Sequence, residues 1–409
     1  MKRLTVRSGL LCLLLVQLPQ LVLAEFLPLQ QRLDEAKKGD TILLEPGVYQ
    51  GPVTIEKAII LDGQGKATID ASGHGSVIHL DTDGAVIKNL RLRNTGESHN
   101  DLDSGIQVRG NFNVIKDNII EDCLFGIDLQ QSEYNVVRRN EISSKPVDLG
   151  LRGDAVRLWY SFGNKITENY IHDSRDTVVW YSKDNTIANN RSTRGRYALH
   201  FMYAQFNKVT DNEYWNNSVG VFLMYSDSVV LTGNKISHAN GTTGVGIGLK
   251  ESSEVTLKGN MLLYNAVGIY LDVSPFQPDT INQLEDNLVA FNNIGVRFLN
   301  DWPGNNFVNN RFKANITQVA VSDGNTANRN QWDGNYWDDY RGYDQDKDGV
   351  GDTPYEFYSY ADRIWMDIPA AEFFRGSPML EVLDFLERLA PFSPPELVIR
   401  DSQPKILAD

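Results

Sequence analysis

Between Asn113 and Asn330 one short phrase keeps returning: an apolar residue, two polar residues, then asparagine. The closing residues are Asn118, Asn140, Asn169, Asn190, Asn212, Asn234, Asn260, Asn287 and Asn310, spaced by 22, 29, 21, 22, 22, 26, 27 and 23 residues. A second asparagine often stands five residues earlier, as at Asn135, Asn164 and Asn185. Self-similarity at this period is the signature of a solenoid. A leucine-rich repeat also ends a phrase in L-x-x-N, but its return segment is helical or loose. Here each period holds a second strand-like phrase, such as Gly126-Ile-Asp-Leu, Gly220-Val-Phe-Leu and Gly268-Ile-Tyr-Leu. Alternation of apolar and variable residues is the pattern of a half-buried strand. The expected fold is therefore all-β: a right-handed parallel β-helix of roughly eleven coils, in which turn asparagines stack from coil to coil. The longer steps mark loops thrown out between strands.

The flanks differ from the repeat. Residues 1–24 read as a secretory signal, with Lys2, Arg3 and Arg7 before an apolar run that ends at Val22-Leu-Ala24. Its removal takes three basic residues from a chain of net charge -14 and leaves -17, which disfavours nucleic acid and anionic membranes as partners. The one remaining cysteine, Cys123, excludes an internal disulfide and is expected in the core. A short helix after Glu25 is expected to cover the first coil. The β-helix is expected over 25–330, a cap with an acidic loop over 331–368, and a helix and flexible tail for docking over 369–409. In the helix Met379, Leu383 and Leu386 share one side, and its charges rule out a membrane span.

Aligning coils on the closing asparagine predicts what stacks on what. One column reads Gln130, Trp159, Trp180, Met202, Met224 and Lys250; the next reads Gln131, Tyr160, Tyr181, Tyr203, Tyr225 and Glu251. Two residues before the first column stand Asp128, Arg157, Val178, His200, Phe222 and Gly248. Leu129, Leu158, Val179, Phe201, Leu223 and Leu249 lie between and are apolar, so alternation turns the tryptophan–methionine and His200 columns outward. Either this stripe is a binding surface, or a loop or the C-terminal helix covers it. His200, Met202 and Met224 form a soft donor set suited to Cu(I), open to solvent. Trp159, Trp180, Tyr203 and Tyr225 would then be a contact surface for a partner protein. Asp344, Asp346, Asp348, Val350 and Asp352 match the first half of an EF-hand-like calcium loop, but Tyr355 stands where the bidentate glutamate belongs. An enzyme acting on polysaccharide needs paired carboxylates in one groove; the outward columns offer Asp128 alone. A secreted carbohydrate-binding protein or polysaccharide-modifying enzyme is the alternative reading.

Three further blocks are specific: SRDTVVWYS (174–182), RYALHFMYA (196–204) and NYWDDYRGYDQDKDGVGDTPY (335–355). With the opening GDTILLEPGVY and the C-terminal SPMLEVLDFLERLAPFSPP (377–395), the chain resembles the NosD family over nearly its whole length. The resemblance implies a non-catalytic periplasmic accessory protein on an inner-membrane transporter complex. Its implied partners are an ABC-type permease and ATPase, a periplasmic copper chaperone and nitrous oxide reductase. The implied task is assembly of the copper–sulfur centre of that reductase, with copper handled transiently. Leu383 and Leu386 are then the residues expected to dock on the permease.

Overall fold

The computed structural model describes residues 26–300, 302–322, 326–391 and 394–406; the expected signal segment lies outside them. Strands run parallel throughout the solenoid and bond only to the coils before and after. The chain makes about thirteen turns. That exceeds the eleven expected, because coils without the asparagine phrase extend the sheet at both ends. Thr41–Leu43 pairs with Ile60–Asp70 at the start, and Gln331–Asp333 pairs with Asn305–Val308 at the finish. The sheet passes residue 330, the boundary expected, because Trp332 and Trp337 turn inward and stack on Phe307 and Phe312 at 4.0 and 4.3 Å.

Each coil closes through the same corner. The residue before a ladder asparagine adopts left-handed backbone: Asp117 (φ 58°), Arg139 (52°), Glu168 (58°), Asn189 (56°) and Asp211 (53°). Such residues cost about 1 kcal/mol or more each, and the asparagine side chain offsets this. Asn190 Nδ2 donates to Ile166 O at 2.8 Å and to Asn212 Oδ1 at 3.0 Å, while its own Oδ1 accepts from Asn169 N at 3.0 Å. The ladder satisfies polar groups that the interior would otherwise leave unpaired.

Both ends are closed. Helix α1 (Gln30–Glu35) places Leu29, Leu33 and Ala36 over the first coil, as expected. At the other end Tyr355–Ser359 pairs antiparallel with Glu396–Asp401. The expectation of a flexible tail is corrected here: Val398, Ile399 and Asp401 are fully buried. Asp401 takes the last rung of the ladder, accepting from Asn335 N, Asn335 Nδ2 and Trp337 Nε1 at 3.0, 2.9 and 3.1 Å. The predicted C-terminal helix divides into a 3-10 turn (Pro369–Phe374) and α3 (Pro378–Leu389), and a short helix that was not expected, α2 (Arg363–Asp367), precedes it.

The helices do not cap the last coil; they pack on the flank. An extra residue sits opposite Thr177, so Asp176 pairs with Tyr197 and Val178 with His200. From there on Val219, Val245, Val267 and Ile294 follow Tyr197 in register on the outer face. This apolar strip, with Phe222, packs on Trp365, Met366 and Leu380. Gly248 leaves the space that the Phe222 ring fills, since a Cβ there would lie 2.3 Å from it.

Candidate functional site

The predicted columns are in register. Trp159 pairs with Trp180, Trp180 with Met202 and Met202 with Met224. The intervening Leu158, Val179, Phe201 and Leu223 are fully buried, so alternation turns His200, Met202 and Met224 to one outer face on adjacent coils. The site is less open than the sequence implied. His200 is 8% exposed, and both methionines are half-buried. The Tyr197 ring lies parallel to the imidazole at 4.5 Å, held beside it by the inserted residue. Met224 packs against the cluster formed under α2 and α3, as Tyr197 and Leu383 do. Sequence reasoning missed Tyr197; the only signal was a step that lengthens from 21 residues before Asn190 to 22 after it.

His200 Nε2 is buried with no hydrogen-bond partner. Burial pushes its pKa below the ordinary imidazole value, and Arg196 adds to this against the pull of Asp176. Lowered in this way, the ring is neutral at pH 7, and it lies on the same outer face as two thioethers. A donor set of this kind fits a soft monovalent cation. A hydrogen-bond donor placed at Nε2 would also satisfy the atom, but the thioethers on both coils favour the metal.

Beside the site runs an aromatic ladder. Tyr160, Tyr181, Tyr203 and Tyr225 stack at 4.9, 5.1 and 4.8 Å with planes within 12° of one another. All four adopt left-handed backbone, near φ 48–51°. Tyr203 is 46% exposed, while Trp159, Trp180 and Tyr225 are half-buried. On the neighbouring column Asp128 is fully buried between Arg109 (3.0 Å) and Arg157 (2.8 Å), so both carboxylate oxygens are engaged. Asp154 pairs with Arg175, Asp173 with Arg194 and Asp176 with Arg196. Burial pushes Asp154 up to about 6 against the pull of Arg175. Each of these four aspartates is thus held by at least one arginine.

In the acidic loop, carboxylate oxygens of Asp344, Asp346 and Asp348 lie within 4.8 Å of one another. Asp352 is not among them; its Oδ2 accepts from Gln345 N at 2.7 Å. Gly349 N and Asp348 N donate to Asp344, and Gly349 O accepts from Ile406 N at 3.1 Å, tying the loop to the end of the chain. Val350 lies in this turn and bridges to Lys405. Of the two leucines expected to dock, Leu386 is exposed, whereas Leu383 packs toward the solenoid. The exposed apolar face of α3 is Met379, Val382, Phe385, Leu386 and Leu389. No helix among the described residues is long and apolar enough to cross a membrane.

Fold and flank together define a parallel β-solenoid with a soft-donor cluster and an aromatic ladder on one side. The family model described as "Periplasmic copper-binding protein (NosD)" matches residues 139–342. A "Probable ABC transporter binding protein NosD" of Pseudomonas aeruginosa is 30% identical over 421 aligned residues, covering 88% of this chain and 87% of that one. A protein of the same description from Stutzerimonas stutzeri is 26% identical, covering 85% and 83%. The chain belongs to the NosD family. Among solved structures, the A-module of the Azotobacter vinelandii mannuronan C-5 epimerase AlgE6 superposes with a TM-score of 0.54 at 18% identity, covering 69% of this chain and 87% of that one. A PL6 alginate lyase in complex with a trisaccharide gives 0.51 at 16%, covering 70% and 82%. These two likenesses concern the solenoid fold.

Proposed function

We propose that this protein handles Cu(I) in the periplasm during maturation of the copper–sulfur centre of nitrous oxide reductase, as a non-catalytic accessory of an ABC-type permease and its ATPase. The observation that carries the reading is the buried, unpartnered His200 Nε2 on the same face as Met202 and Met224. The family's description as periplasmic and copper-binding supports it, and so does the name of the Pseudomonas aeruginosa relative. Copper is cargo in this reading. A copper chaperone delivers it across the ladder of Tyr203 and Tyr225 with Trp159 and Trp180. Three ligands on rigid strands, at the edge of a covered patch, suit passing a metal on. Because His200 is already neutral, Cu(I) binding displaces no proton near pH 7; affinity falls only on acidification through the folded imidazole pKa.

Replacing His200, Met202 and Met224 together by Ala tests the reading. Cu(I) affinity, measured by competition with a chromophoric chelator, is expected to fall at least a hundredfold. Reductase matured with this variant is expected to lack the copper–sulfur centre. Normal Cu(I) binding and full maturation would refute the reading.

The acidic loop takes a harder cation. Ca²⁺ held by Asp344, Asp346, Asp348 and the Val350 carbonyl, with Asp352 in support, is expected to stabilise the C-terminal cap. Calcium at a hundredfold excess over its Kd adds about 2.7 kcal/mol to unfolding free energy. Differential scanning calorimetry with and without chelator measures this; an unchanged Tm leaves the loop an acidic turn.

A further inference from the structure

Across the ladder from Met202, one coil earlier, stands Trp180. The tyrosine rings stack coil upon coil at 4.8–5.1 Å with planes within 12°, so their normals run along the solenoid axis. The Trp180 ring lies within 18° of the Tyr181 plane. Its face therefore also points along the axis, toward the position that Met202 occupies on the next coil. Trp159 does not do this: its ring stands at 89° to Tyr160 and takes the guanidinium of Arg157 at 5.9 Å. A second observation singles out Trp180. Its indole Nε1 is buried with no partner. No hydrogen bond from Nε1 holds the ring, and a buried donor is left unpaired. Unpaired buried groups of this kind call for an explanation.

We infer that Trp180 forms the aromatic wall of the Cu(I) site, resting on the assignment of His200, Met202 and Met224 as ligands. A cation held by Met202 lies over the face of the indole, whose quadrupole attracts a positive charge and adds no further donor atom. A thioether facing the ring in this way gains a sulfur–aromatic attraction as well. A wall of this kind favours a soft, weakly hydrated monovalent ion and keeps water from that side. Trp180 is thus a positioning and selectivity residue, distinct from the tyrosine ladder that faces a partner.

The test uses the mature full-length protein, with Cu(I) and redox-inert Ag(I) as probes. Trp180→Leu keeps apolar volume and removes the ring; Trp180→Phe keeps a smaller π face. Trp180→Leu is expected to bind both ions about tenfold more weakly, with Trp180→Phe between it and the parent. Parent fluorescence is expected to fall on Ag(I) addition, with most of that change missing in Trp180→Phe. A structural role alone would not produce this metal-dependent signal. Parent-like affinity in Trp180→Leu, or full quenching in Trp180→Phe, overturns the assignment. If Trp180→Leu fails to fold, quenching in Trp180→Phe decides. If His200, Met202 and Met224 replaced by Ala still bind Cu(I) normally, the ligand assignment fails and takes the wall with it. If that variant loses Cu(I) while Trp180→Leu does not, only the wall fails.

Discussion

Asn190→Ala is expected to lose about 3–6 kcal/mol of unfolding free energy. Its side chain makes four hydrogen bonds, to Asn169 N, Asn169 Nδ2, Ile166 O and Asn212 Oδ1, all in the interior. Truncation removes the acceptor of the Asn169 amide and a donor to the Ile166 carbonyl, in a space that alanine does not fill. Each such orphan costs about 1–3 kcal/mol, against about 1 kcal/mol gained by an average bond. Because coils contact only their neighbours, the damage weakens both adjoining interfaces. Urea unfolding followed by circular dichroism measures the change, with the exposed Lys208→Ala as a control within about 0.5 kcal/mol. Asn190→Asp should also be severe, because the rung must donate as well as accept. Asp401 shows where a carboxylate is tolerated: it ends the ladder, receives only donors and has no later rung to serve. A midpoint unchanged in Asn190→Ala would mean that the ladder contributes no net stability.

The second large effect concerns attachment, and it rests on the proposed transporter association. Phe385 and Leu389 are 60% and 68% exposed on α3, while Leu380 is buried and Leu383 faces the solenoid. Phe385→Asp with Leu389→Asp therefore leaves the inner face intact. The double variant is expected to keep the parental Tm and to lose at least a hundredfold in recovery with the permease, since apolar anchors of this size often contribute 1–2 kcal/mol each or more. Leu380→Asp should behave in the opposite way. It puts a charge into the seam between α3 and Val219, Val245 and Val267, and lowers stability first. Copurification from solubilised membranes separates the two. If Phe385→Asp with Leu389→Asp copurifies like the parent, α3 is only a cover for the flank.

The asparagine spacing alone determined the solenoid, because one buried corner repeated in every coil imposes one side chain at one period. Strand alternation determined which faces look outward, and the register of Trp180, Met202 and Met224 comes from counting back from the asparagine. The acidic triad was legible too, since its residues are neighbours in the chain. Three things needed the tertiary structure. The sequence left open whether the stripe is bare or covered; α2 and α3 cover the part beyond His200 and leave the tyrosine ladder accessible. Tyr197 reaches His200 only through an inserted residue, which shifts register locally and changes the step by one residue, within the spread of the other coils. Asp401 closes a ladder whose previous rung lies 66 residues earlier. A repeat writes its neighbour contacts into the sequence as a period, because each coil solves the same packing problem. Contacts between the repeat and the C-terminal segment occur once, have no period, and are fixed only when the chain folds back on itself.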